Sequence, residues 1–204
     1  MNYELLKKLI CLDGFICEKQ VNVDGEPVYI RPLYIEWLAL FPNLQAELAI
    51  EIGKQLQKYE PKVLYAVEAS ILPLATLIAQ YLKLPLSIVR KPRNYKHEED
   101  EPTVFVEEGM KKLPAVLLDD AIWSGFTMNH ILQEFEKLEI KPPHCYFIFD
   151  FSDFNQGKQY LTPQQKTFLQ ESESWVSYRT VVELAYQNGL ISDTAYLKTR
   201  ELFS

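Results

Sequence analysis

Between residues 62 and 151, short apolar runs alternate with helical periodicity, and no other feature of this chain restricts its fold as much. KVLYAV (62–67), LSIVR (86–90), AVLLDD (115–120) and CYFIFDF (145–151) are separated by segments of helical spacing at about 72–82 and 126–138. Strands that are apolar almost without interruption are covered on both faces, and strands joined through helices run parallel. The pattern therefore predicts an α/β fold with a central, mainly parallel sheet and helices on both of its faces. In such sheets ligands bind beyond the carboxyl ends of the strands, which points to the residues just after 67, 90, 120 and 150.

The flanks read differently. MNYELLKKLICL predicts an amphipathic helix over 3–12, and in VNVDGEPVYI the pair Asp24-Gly25 between β-rich runs predicts a hairpin, with Pro27 placing its second strand at an edge. A helix is expected over 43–59, N-capped by Asn43 and stopped by Pro61. After Gly157 the chain reads as helical, in TPQQKTFLQ (start at Thr162-Pro163), SWVSYRTVVELAYQ and SDTAYLKTRELF (start at Ser192-Asp193). One compact domain is expected, made of a hood over 1–40, a core over 41–157 and a helical extension over 158–204.

With 204 residues and 48% hydrophobic side chains, the chain can bury a full core. A net charge of −7 argues against a general nucleic-acid or anionic-membrane surface, so an anionic ligand must be held by local groups. Cys11, Cys17 and Cys145 lack metal-ligand spacing and leave one thiol unpaired in any disulfide scheme, which suits a reducing cytoplasm. Lys7 and Lys8 interrupt the N-terminal apolar pattern, so it is not expected to be a signal peptide, and no run approaches the length of a membrane span.

LLDDAIWSGFT (117–127) is the densest chemical motif. Where a strand ends, Asp119 and Asp120 can converge on one edge and accept hydrogen bonds from vicinal hydroxyls. The helix that follows offers free amides, with the Ser124 and Thr127 hydroxyls, to a phosphate. A plain capped turn is the alternative for the same residues. RKPRNYKHEED (90–100) is open in the same way: a basic lid over an anion, or a solvated cluster in which Glu98 to Glu101 neutralise the cations. His130 and His144 are expected to be structural or exposed.

AVLLDDAIWSGFT (115–127) resembles the phosphoribosyl diphosphate (PRPP) signature of the type I phosphoribosyltransferases. YAVEASILPLATLIAQYLKLPLSIVRK (65–91) is similar to the orotate phosphoribosyltransferase segment with a pyrophosphate loop and an Arg-Lys pair. GEPVYIRPLYI (25–35) and EEGM (107–110) echo the substrate strand and the Glu-Gly before the signature, so the likeness covers about residues 10 to 150 in order.

The resemblance implies the type I phosphoribosyltransferase fold. It implies that Asp119 and Asp120 hold the ribose hydroxyls and Trp123, Ser124, Gly125, Phe126 and Thr127 the 5′-phosphate. Ala66, Val67, Glu68, Ala69, Ser70 and Ile71 would hold pyrophosphate with Mg2+, which rides on PRPP and touches Asp119 or Asp120 if any side chain. Arg90, Lys91, Arg93, Lys96 and His97 would meet the leaving group, with the catalytic cation among Lys91, Arg93 and Lys96. Displacement at the anomeric carbon makes the sugar positive and the pyrophosphate negative, so pre-placed cations lower the barrier and a closing lid keeps water out.

The chain departs from the family pattern at Ala66, Ile71 and Phe126, where glycines are usual, and at Trp123, where Thr is usual. An arginine to pair with the orotate carboxylate is missing after the last strand; Lys19 and Arg31 are the candidates to replace it. The expectation is thus phosphoribosyl transfer from PRPP to a nitrogen of a base-like acceptor, orotate-like but altered, in a cytoplasmic homodimer of nucleotide metabolism. A PRPP- or nucleotide-binding regulator that has lost turnover is the rival.

Overall fold

A computed structural model describes residues 1–12, 16–23, 26–32, 35–91, 103–122, 125–141, 143–152, 163, 167, 170–201 and 203, with the main chain alone at 16–23, 26–32 and 126. Helix α1 (Tyr3–Ile10) is capped by the Asn2 side chain on the Leu5 amide and buries Leu5, Leu6, Leu9 and Ile10. Strands β1 (Ile16–Val23) and β2 (Glu26–Pro32) form the antiparallel hairpin expected around Asp24-Gly25, and Pro27 sits in a two-stranded sheet where both strands are edges.

Helix α2 (Pro42–Leu56) begins a residue before the expected cap. Pro42 occupies the first helical turn and the flanking residue is Phe41, with no side-chain cap, so Asn43 lies inside the helix and is not its N-cap. A proline without an N–H suits a position whose N–H would have no intrahelical acceptor. The alternation then follows in order: β3 (Val63–Val67), α3 (Leu72–Leu82), β4 (Leu86–Val89), β5 (Ala115–Ile122), α4 (Phe126–Lys137) and β6 (His144–Asp150).

SWVSYRTVVELAYQ, expected as one helix, divides at Ser177. Glu173–Ser177 is strand β7, paired in parallel with β6, and helix α5 (Tyr178–Gln187) starts only after it. The sheet therefore gains its fifth strand from beyond residue 157, and helix α6 (Asp193–Glu201) closes the chain, its first turn held by the Ser192 hydroxyl on the Ala195 amide. The TPQQKTFLQ segment lies largely outside the described residues.

All five strands run parallel, in the order β4-β3-β5-β6-β7. One face packs Leu64, Ala66, Val116, Leu118, Tyr146 and Ile148 against α1, α2, α3, α5 and α6; the other packs Val63, Tyr65, Val67, Leu117 and Phe147 against Met128, Ile131 and Phe135 of α4. Strands buried on both faces account for the uninterrupted apolar runs of the sequence.

Candidate active site

The strand order places a site before any side chain is considered. From β3 the chain crosses to β4 on one side, then returns to β5 on the other side of β3, so the direction of winding reverses between β3 and β5. At such a switch point the loops leaving the two strands diverge and open a crevice at their carboxyl ends. Glu68 to Ile71 leave β3 there, and the aspartate motif lies at the end of β5.

Asp119 and Asp120 do not end their strand, as the sequence reading had it: β5 runs on to Ile122. Asp119 is 4% exposed, and its Oδ1 accepts the Asp120 amide at 2.9 Å. Burial pushes its carboxyl well above the usual aspartate range. A hydrogen bond with the Asp120 carboxyl and its like charge add to the rise, while Lys91 and the Asp120 amide oppose it. Lys91, just beyond β4, brings its Nζ to 4.0 Å from Asp119 Oδ1. That long ion pair spans β3 and joins the ends of β4 and β5.

In the loop after β3 the residues separate by burial. Ala66 and Val67 are inside the strand with no exposed surface, and Ile71 is buried in the face shared with α2 and α3. Their side chains serve the core, and Glu68, Ala69 and Ser70 carry the accessible surface of the loop. The Glu68–Ala69 peptide is cis, and the Glu68 amide donates to the Val89 carbonyl at 2.8 Å. Helix α3 starts without a side-chain cap.

The other helix of the site starts on glycine. Gly125 has φ 72° and Phe126 is the first residue of α4, so the left-handed turn falls on the one residue type that adopts it without strain. Among the described residues no side chain caps α4 either, and the first-turn amides of a helix so placed, Thr127 among them, suit an anion. Trp123 and Ser124 lie outside the described residues, as does the Phe126 side chain.

Arg90 lies beside Phe105 at the end of β4. Its guanidinium lies 5.0 Å from the Phe105 ring centroid, and its amide donates to the Thr103 carbonyl at 2.8 Å. Together with the Val89–Val104 bridge and the Phe105 amide on the Ile88 carbonyl, this makes a short antiparallel stem on β4. Arg93, Lys96 and His97 are outside the described residues. Lys19 and Arg31 are described as main chain in the hairpin, Arg31 opposite Cys17 and Lys19 within the register break between Glu18 and Val21. Asp150 and Ser177 are register partners on the same sheet edge, Asp150 where the strand-end rule points and Ser177 at the end of a strand that the helical pattern hides.

Comparison with known proteins agrees with this geometry. Residues 39–186 match the model of the phosphoribosyl transferase domain. The chain belongs to that family. No curated protein sequence matches it. Among solved structures, Leishmania donovani UMP synthase superposes with a TM-score of 0.75 at 18% identity, over 98% of this chain and 41% of that one. The phosphoribosyltransferase chain thus spans about two-fifths of the UMP synthase. Orotate phosphoribosyltransferase from Aeropyrum pernix gives 0.65 at 16% identity over 92% and 99%, and Trypanosoma brucei adenine phosphoribosyltransferase, solved with AMP, pyrophosphate and ribose-5-phosphate, gives 0.58 at 16% over 87% and 80%. At these identities the likeness is one of fold. Among the described residues no helix is long and apolar enough to cross a membrane.

Proposed function

We propose that this phosphoribosyltransferase moves the phosphoribosyl group of PRPP to a ring nitrogen of a base-like acceptor and releases pyrophosphate. One observation carries the reading: the switch point gathers the Asp119-Asp120 pair, an uncapped helix N-terminus behind Gly125, and the Glu68 to Ser70 loop at a single sheet edge. The roles follow from chemistry. Carboxylates accept hydrogen bonds from the ribose 2′- and 3′-hydroxyls, and helix amides receive the 5′-phosphate. The short loop after β3, with the uncapped start of α3, takes the pyrophosphate, and Lys91 faces its developing charge.

Mg2+ fits this arrangement as a companion of the diphosphate. Among the described residues no three His, Cys, Asp or Glu side chains group to cage a metal, and magnesium commonly binds through substrate phosphates, waters and one or two carboxylates. Glu68, Asp119 and Asp120 are carboxylates at that edge. When bound, the ion would neutralise charge on the departing pyrophosphate. A cytoplasmic homodimer of nucleotide metabolism is part of the same proposal.

The rival reading, a PRPP-binding regulator without turnover, drew on Ala66, Ile71 and Phe126. Two of these have core side chains, and the positive φ falls on Gly125, so they lend it little support. Purified protein with PRPP, Mg2+ and a panel of bases decides by pyrophosphate release. Base-dependent release is expected. Thermal stabilisation by PRPP without release in any base would establish the regulator, and a protein indifferent to PRPP would overturn both.

A further inference from the structure

The hairpin and the last helix lean on one another. Among the described residues β1 and β2 pair with each other and with no strand of the larger sheet, and β2 rests against α6. A two-stranded hairpin is marginal on its own, so its place is set by what it packs on. Helix α6 in turn has little apolar surface to hold it. Its buried side chains are Ala195 and Thr199, and the Thr199 hydroxyl donates to the Ala195 carbonyl at 2.7 Å inside the helix. A helix of nine residues draws its stability from tertiary contacts, so the fastening of α6 decides where the hairpin sits.

Two sets of contacts fasten α6 to α5. Away from the sheet edge, Tyr196 stacks on Tyr186 with ring centroids 3.9 Å apart and planes within 4°, and its hydroxyl donates to Glu183 Oε2 at 2.7 Å. Just beyond the helix, the Phe203 carbonyl accepts from Arg179 Nη2 at 3.0 Å. The Arg179 guanidinium lies 5.3 Å from the Phe203 ring centroid, and the Tyr178 ring meets it edge-on at 5.7 Å. Tyr178 is buried, follows Ser177 at the carboxyl end of β7, and packs 4.6 Å from Phe151, the residue after β6. Phe203 therefore ties α6 to the edge from which α5 departs. None of the groups assigned to PRPP belongs to this assembly, since they come from the ends of β3, β4 and β5 and the start of α4.

Building on the phosphoribosyl-transfer reading, we propose that Phe203 is a positioning residue: it fastens α6 to the carboxyl edge of the sheet, α6 carries the hairpin, and the posture of the hairpin governs how firmly the acceptor base is held. The test compares the full wild-type chain with Phe203→Ala and Phe203→Tyr. Each is followed by hydrogen exchange, by the thermal shift with PRPP and Mg2+, and by KM and kcat for pyrophosphate release with the base that the wild type turns over fastest. Calorimetric affinity for the same base stands beside the kinetics.

Phe203→Ala is expected to speed exchange of the amides in 16–32 and in α6 about tenfold while β3 and β5 keep their protection, as a local opening does. KM and affinity for the base should weaken about fivefold or more, the lower range of coupling between separate sites, at nearly constant kcat and with the PRPP shift retained. Phe203→Tyr keeps a ring on Tyr178 and Arg179 and should restore all of these. Hairpin amides that do not respond, or exchange that rises equally across the sheet, overturn the role of Phe203, as does an unchanged base affinity with a loosened hairpin. A wild type that neither responds to PRPP nor releases pyrophosphate overturns the transfer reading and the effect on the base with it, while hairpin exchange still decides whether Phe203 fastens α6.

Discussion

Asp119 answers to two opposed requirements. A ribose-binding carboxylate must be fixed and dry, yet an aspartate with 4% exposure and a lysine no nearer than 4.0 Å is costly to ionise. Its raised pKa means that the native state holds the proton more tightly than the unfolded chain. The stabilising protonated form is fully present below the ordinary aspartate value of 3.8 and is lost as pH rises through the higher native value. Asp119→Asn should therefore stabilise the unliganded protein at neutral pH, by about 1–2 kcal/mol in urea unfolding, while abolishing stabilisation by PRPP. An unchanged PRPP shift would refute the ribose site. The acid pair was legible in the sequence because an apolar strand has no other use for two adjacent aspartates. The direction of the Ala66 and Ile71 side chains was not, since burial on one sheet face is a property of the packed helices α2 and α3.

At the scale of elements, the sequence was most legible where both faces of a strand are buried. The β3, α3, β4 and α4 bounds agree with the observed ones within a residue, whereas β7 was absorbed into a helix. ESWVS is a short edge strand with only one neighbour, so its pattern does not stand apart from the helical spacing that follows. Ser177 was the available signal: a serine three residues before Thr180, accepting its amide, marks a helix start at Tyr178. Ser177→Ala should cost about 1 kcal/mol of stability, and a cost near zero in chemical denaturation would mean that the cap is idle.

The opposite end of β6 offers a second element-scale test. His144 stacks on Tyr59 with ring centroids 3.8 Å apart, and its Nε2 is buried without a hydrogen-bond partner among the described residues, 4.0 Å from Glu173. Burial lowers its pKa, Glu173 counteracts this, and Lys58 lowers it further. The neutral ring is favoured in the native state, so its contribution is present above 6.5 and is lost as pH falls toward the depressed native value. His144→Phe, which keeps a ring on Tyr59, should flatten the fall of the urea midpoint across that interval. A slope unchanged from wild type would show that His144 does not titrate there.

For the whole molecule, the consequence of building a site from separate strand ends is linkage between ligand and global stability. Glu68, Lys91 and the Asp119 to Gly125 stretch belong to the ends of three different strands and meet only when β4, β3 and β5 are paired, so the unfolded chain presents no site. A ligand that binds only the native state stabilises it by about 2.7 kcal/mol at a hundredfold excess over its dissociation constant, or about 5–10 °C in Tm for a chain of this size. PRPP with Mg2+ should produce a shift of that order. Chelating the metal should remove most of it, because the diphosphate then enters an edge already carrying Glu68, Asp119 and Asp120 without its counter-ion. Ribose 5-phosphate, which lacks the diphosphate, should give a smaller shift that is insensitive to chelation. A PRPP shift equally insensitive to chelation would place the diphosphate on protein cations alone, and Lys91→Ala should then abolish it.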